Sequence, residues 1–255
     1  MYAKILNQLK KGNSSIMDYE KLLYLRRIAS ERILELLKED SFELSIDYLK
    51  YIHESIFHDL LESSGVFRTC NLTRSEEILN GDTVIYADYH NIESYLNYDL
   101  SRQINKKYSQ EEVEKLIKDL AHFTSNIWQT HSFNEGNTRT ISIFIVKYLR
   151  YLGYQVNNDI FKDHSLYYRN SLVLSSYYNP KYNITNNYLP LNNFYHKVLL
   201  DNSISLDNDT LYQEALFNKN KIEEEYKRFA YETQDAIQYL NYEEKQKIPE
   251  GSDEC

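Results

Sequence analysis

Between His131 and Thr140 the sequence reads HSFNEGNTRT, with a histidine, a carboxylate, a Gly-Asn pair and an arginine close together. A strongly apolar stretch, ISIFIVKYLRYLGY, follows almost at once. If a helix begins near Gly136 or Asn137, its first N–H groups lack intrahelical acceptors and carry the positive end of the helix dipole. Such an end binds anions, phosphate above all. Gly136 lets the backbone approach a ligand closely, and Asn137 can cap the helix or bond the ligand. Arg139, in the first turn, can grip two phosphate oxygens with one guanidinium. Glu135 would repel the same anion unless a cation such as Mg2+ is shared between them. His131 is the one side chain here that ordinarily titrates near neutrality, which makes it the candidate base. The competing reading is a polar loop that caps a buried helix, since His, Glu and Arg fall together in many loops by chance.

The elements that must hold this loop read as helices. Only 6 Gly and 3 Pro occur in 255 residues, too few turn formers for a many-stranded fold. Leu22, Leu25, Ala29, Ile33 and Leu36 recur at helical spacing and predict a helix over 17–40. Similar patterns predict helices over 45–58, 92–102, 110–130 and 166–178. The helix after the motif, with Ile141, Phe144, Ile145, Tyr148 and Leu149 on its apolar face, is the expected centre of the core. Gly153 suits its C-cap. Asn80-Gly81 followed by Thr83, Val84, Ile85 and Tyr86 predicts one short β-hairpin. Residues 179–193, rich in Asn, Tyr and Pro, read as a loop. Residues 209–247 read as a long helix that packs on the core or pairs with a second copy, and IPEGSDEC as a disordered tail.

Composition removes several classes of function. A net charge of −9 and a pI near 5.3 exclude a surface that coats nucleic acid, while leaving room for a basic pocket that takes one nucleotide. Cys70 and Cys255 are too few and too far apart for a disulfide framework or a cysteine zinc site. MYAKILNQLKKGNSS lacks the apolar core of a signal peptide, and the most apolar stretch, interrupted by Lys147 and Arg150, is too short for a bilayer. A soluble protein of the cytoplasm, without membrane contact, is expected; the sequence does not decide whether it is delivered into a host cell.

HSFNEGNTR resembles the signature of the Fic (filamentation induced by cAMP) domain family, HxFx(D/E)GNGRxxR. The resemblance extends over roughly 52–178. YIHESIF resembles the family's helix before the loop, Thr83 to Tyr86 fall where the family carries its flap, and HSLYYRN falls where it has a Tyr-containing helix near the adenine. The resemblance implies an all-α, mostly helical fold with one short β-hairpin flap, with the domain at 45–200 between helical extensions at 1–44 and 201–255. It implies a protein adenylyltransferase that moves AMP from ATP to a Ser, Thr or Tyr hydroxyl of a protein, itself included, and releases pyrophosphate. His131 would be the base, Phe133 the anchor of the loop and Glu135 the Mg2+ ligand. Gly136, Asn137, Thr138 and Arg139 would hold phosphates, and Tyr168 would stack on the base. The flap residues Thr83, Val84, Ile85 and Tyr86 would pair with the target backbone. Two alternatives stay open: transfer of the γ-phosphate on the same fold, and a nucleotide-binding regulatory module without catalysis.

Two positions depart from the family pattern. Thr138 replaces a second glycine, so the backbone there must be ordinary. Ser142 replaces a second arginine, which in inhibited relatives pairs with a glutamate on a helix carrying [S/T]xxxE[G/N]. ASERILEL at 29–36 offers Glu35 as that inhibitory glutamate. Arg27, Glu31 and Glu35, at i, i+4 spacing, equally make a solvated face.

Overall fold

Apolar periodicity becomes helix in the computed structural model, which describes residues 16–200 and 203–213. The helices are α1 (Ile16–Leu36), α2 (Ile46–Phe57), α3 (Ile92–Ile104), α4 (Val113–Thr130), α5 (Asn137–Tyr151), a short α6 (Asp159–Asp163), α7 (Ser165–Ser176) and α8 (Leu189–Leu199). The hub is α4, on which α3, α5, α7 and α8 all pack. Its Leu116, Ile117, Leu120 and Ala121 are fully enclosed. The expected central helix, α5, is buried on nearly every side and lies between α4 and α2, with α1 packed outside α2.

Local chemistry explains several boundaries. Ser45 caps α2 by accepting the Tyr48 N–H at 3.1 Å. Gly153, at φ 91, closes α5 by donating its N–H to the Arg150 carbonyl at 2.9 Å. The two cations that interrupt the apolar run of α5 have partners at the end of α1. Lys147, buried, donates to the carbonyls of Leu36 (2.8 Å) and Glu39 (2.7 Å), and Arg150 donates to that of Leu37 (2.7 Å). Carbonyls at a helix C-terminus lack intrahelical partners and carry negative charge, so these cations satisfy both needs.

Two sequence expectations are corrected. Residues 179–193, read as a loop, contain the start of α8, with Pro190 in its first turn. A proline there loses no hydrogen bond and favours the helical φ, so it marks a helix start. The expected hairpin is reduced to one antiparallel bridge, Ser75 to Thr83, around a 3-10 turn at Glu77–Leu79. The Asn-Gly turn itself is present, with Asn80 at φ 52 and Gly81 at φ 90. No ladder follows, because beyond the bridge the chain bonds to α4 instead: Ala87 N–H meets the Gln129 carbonyl at 3.4 Å. Of the helix expected over 209–247, residues 208–213 are helical, with the Asp207 carboxylate accepting the N–H groups of Asp209 and Thr210. Its remainder and the first 15 residues lie outside the described residues.

Candidate active site

The loop from α4 to α5 turns on two left-handed residues. His131 caps α4 at φ 49, its N–H bonded to the Trp128 carbonyl at 3.0 Å. Gly136 opens α5 at φ 82, and a Cβ there would lie 2.4 Å from the Phe57 ring, so only glycine fits. Between them Phe133 is buried, as the anchoring role requires. Asn137 closes the loop on itself: its Oδ1 accepts the Phe133 N–H at 2.9 Å and its Nδ2 donates to the Phe133 carbonyl at 2.7 Å. The first intrahelical bond of α5 runs from Thr140 N–H to the Gly136 carbonyl (3.0 Å), so the amides of Gly136 through Arg139 precede it.

From outside, α2 braces this loop through His53, a residue the sequence reading did not single out. Gly65 N–H donates to His53 Nδ1 at 2.9 Å, which puts the ring proton on Nε2. Nε2 therefore donates to the Glu135 carbonyl, at 3.0 Å. The same ring stacks on Phe133 at 3.8 Å. Burial pushes the His53 pKa down to about 4, against a smaller opposing effect of the Glu135 carbonyl.

His131 lies buried beneath Tyr86, their rings stacked at 4.0 Å and 21°, with Trp128 edge-on. Its Nδ1 is enclosed without a hydrogen-bond partner. Three arginines surround it. Arg68 donates to the carbonyls of His131 (2.7 Å), Cys70 (2.7 Å), Thr130 (3.3 Å) and Ala87. Arg169 pairs at 2.6 Å with Glu76, a buried carboxylate that also accepts the Tyr86 hydroxyl at 3.3 Å. Arg74 reaches Glu135 Oε1 at 3.1 Å and the Asn134 carbonyl. Burial first, then the charges of Arg74, Arg68 and Arg169, push the His131 pKa down to about 3. The imidazole is therefore neutral throughout the physiological range, with its protonation disfavoured by the same burial and charges.

The remaining expected residues divide. Arg139 lies in the first turn of α5, 4.7 Å over the Phe57 ring. The Thr138 hydroxyl accepts the Trp128 indole N–H at 3.0 Å, and the Ser142 hydroxyl donates back to the Thr138 carbonyl at 2.7 Å. Any ligand contact by Asn137 is thus through the backbone, since its side chain is engaged in the loop. Tyr168 is a correction: it is 1% exposed, packed on Phe161 and Phe194 and bonded to the Tyr195 hydroxyl at 3.2 Å, so it is core and cannot stack on a base. Glu35 is exposed and pairs with Lys38 at 2.7 Å, while Arg27 pairs with Glu31 at 2.8 Å, which is the solvated face. Arg32 fastens α1 to the end of α2, at the His58 carbonyl (2.7 Å) and Asp59 (3.0 Å).

In the flap segment Val84 and Tyr86 are buried and Ile85 is 72% exposed, the alternation of an extended chain. Gln129 Nε2 donates to the Ile85 carbonyl at 3.0 Å and fixes the segment to α4. An open groove of about 410 Å³ runs beside it, bordered by Ile85, Tyr95, Tyr98, Asp99 and Gln129. No pattern in the sequence joins Arg68, Arg74, Glu76 and Arg169 to the motif: they lie far from it along the chain, singly and without periodicity.

Residues 43–149 match the family model described as the Fic/DOC family. A curated relative, the protein adenylyltransferase VbhT of Bartonella schoenbuchensis, is 26% identical over 149 residues, a match that takes in 53% of this chain and 29% of that protein. The chain thus spans less than a third of that relative. Among solved structures, the BepC protein of Bartonella tribocorum, a VirB-translocated effector with bound AMPPNP, superposes with a TM-score of 0.54 at 18% identity, covering 72% of this chain and 87% of that one. The N-terminal Fic domain of a VirB-translocated Bep effector of Bartonella quintana, with bound ADP, gives a TM-score of 0.53 at 19% identity, covering 72% and 86%. Among the described residues no helix is long and apolar enough to cross a membrane.

Proposed function

Because residues 43–149 of this chain form a Fic/DOC-family domain, we propose that the protein is an adenylyltransferase, moving AMP from ATP to a Ser, Thr or Tyr hydroxyl of a protein. The observation that carries the reading is a buried, uncharged His131 set in one braced loop with the Glu135 carboxylate and the leading amides of α5. The curated relative's name supports the same chemistry.

With Nδ1 enclosed, His131 takes the hydroxyl proton on Nε2. The oxygen then attacks the α-phosphorus, the bond to the bridging oxygen breaks, and pyrophosphate leaves with the electron pair. The amides of Gly136 to Arg139, with the Arg139 guanidinium, hold phosphate oxygens. Among the described residues no three His, Cys, Asp or Glu side chains cluster to hold a metal. Glu135 would be the residue to hold a cation such as Mg2+, which would supply charge neutralisation at the phosphates when bound. The base contributes about 10²–10⁴-fold, and positioning with charge neutralisation supplies the rest. A target segment lies along Thr83 to Tyr86, against exposed Ile85 and the adjoining groove. Self-modification belongs to the same reading.

The test is transfer of label from ATP marked at the α- or the γ-phosphate. Covalent α-label on protein is the expected result. Label from the γ-position alone would replace it with phosphotransfer, and no label from either would leave a nucleotide-binding module.

A further inference from the structure

The three arginines around His131 differ in what each would lose by moving. Arg68 is buried, and four backbone carbonyls would be stripped of their donor if it left. Arg169 neutralises Glu76, which is 1% exposed, and its departure would strand a buried charge. Arg74 differs on both counts. Its partner Glu135 keeps contact with water, so their separation is a small loss. Its Nε is buried with no hydrogen-bond partner, because Glu135 and Asn134 engage only Nη2. A buried donor left unmet is uncommon and marks a place where an acceptor is missing.

We infer that Arg74 is a nucleotide-phosphate ligand, exchanging the Glu135 carboxylate for phosphate oxygens when the nucleotide binds. Nε and Nη2 form one edge of the guanidinium, and two phosphate oxygens fit that edge side by side. A carboxylate reached through Nη2 alone leaves half of the edge unused. The position is right for the role, since Arg74 touches Glu135 and its charge acts directly on His131. Charge demand points the same way: Arg139 is the one cation in the first turn of α5, and Ser142 adds none in the next. The inference rests on reading this loop as an ATP site.

The experiment is calorimetric titration of the full chain with ATP, comparing wild type, Arg74→Ala and Arg74→Lys, with thermal unfolding measured in parallel. Arg74→Ala is expected to weaken ATP binding between about tenfold and a hundredfold, the range for losing charge-assisted hydrogen bonds. Its unfolding midpoint without nucleotide should stay close to that of wild type. Arg74→Lys, which keeps the charge and loses the paired donors, should fall between the two. Equal or tighter ATP binding by Arg74→Ala overturns the inference, since Arg74 would then only guard Glu135. Should Arg74→Ala fail to fold, Arg74→Lys decides: a loss of about threefold or more supports the inference, and unchanged affinity overturns it. ATP binding that depends on Arg74 without label transfer would sink the transferase reading and leave this inference standing. Transfer by a wild type whose ATP affinity ignores Arg74 would do the reverse, and no ATP binding by wild type would overturn both.

Discussion

Mild acid should destabilise this protein between pH 7 and pH 5, through two buried histidines. In the fold, His53 and His131 have pKa values pushed down to about 4 and about 3, in both cases chiefly by burial. In the unfolded chain each returns to about 6.5. The folded pKa values lie below the unfolded ones, so the unfolded chain binds more protons in between. The stability involved is therefore present above about pH 6.5 and lost as pH falls toward the folded values. At about 1.4 kcal/mol per unit of pKa difference, each histidine forfeits about 2 kcal/mol by pH 5, or about 4 kcal/mol together. That is a large part of a typical domain's 5–15 kcal/mol (roughly). Asp88 and Glu112, both lowered to about 2 by hydrogen bonds, from Asn71 and from the Ser109 backbone, act only at lower pH. The assay is urea unfolding at pH 7, 6 and 5, on wild type and on His53→Gln. Glutamine cannot ionise yet keeps a donor for the Glu135 carbonyl. The variant will be less stable at pH 7, but its loss between pH 7 and 5 should shrink from about 4 to about 2 kcal/mol. An equal loss in both proteins would refute the claim that His53 is held neutral by the fold.

Four further outcomes are expected. His131→Ala should abolish label transfer while ATP binding persists, and a variant that keeps more than about a tenth of the rate has another base. Gly136→Ala should lower stability by more than about 2 kcal/mol, because it combines a positive φ with a methyl driven into Phe57; a near-neutral thermal shift would mean that ring yields freely. Tyr168→Phe should lose about 1 kcal/mol of stability with the Tyr195 hydrogen bond and leave ATP affinity unchanged, whereas a tenfold weaker affinity would restore it to the binding site. Glu35→Ala should raise self-modification by less than about tenfold, equivalent to about 1.4 kcal/mol of barrier, and a hundredfold rise would make α1 a lock on the site.

The parts of the fold that could be read from the sequence are those set by local rules. Helical periodicity located α1 to α5, and the Gly136 position followed from the need for an α5 N-terminus open to a ligand. Pro190 misled because one residue type serves both turns and helix starts, and only the downstream apolar face, Leu191 and Phe194, separates the two. Tyr168 misled for a different reason. A helix position does not tell which face meets the core, and the Tyr195 partner that settles it comes from α8. His53, Arg68, Arg74 and Arg169 were illegible for the same physical cause: they act between separate elements, across 60 or more residues of chain, His53, Arg68 and Arg74 on backbone carbonyls that carry no sequence signal and Arg169 on the distant Glu76 carboxylate.

A single set of charges serves two demands at this loop. In the proposed reaction His131 must start unprotonated, and burial under Tyr86 together with three guanidinium groups keeps it so. With Glu76 and Glu135 offsetting two of them, the same groups still leave a net positive charge at this loop in a chain whose net charge is −9, and on the proposed reading that charge draws a polyphosphate. Once an anion is seated there, it offsets the field of Arg74, the largest of the charge effects on His131. On the proposed reading the imidazole would then be a stronger base with the nucleotide in place than without it, and so better able to take the proton of the attacking hydroxyl. The fixed partners of Arg68 and Arg169 would hold the remainder of the field constant, so that the inferred exchange is confined to Arg74 and Glu135.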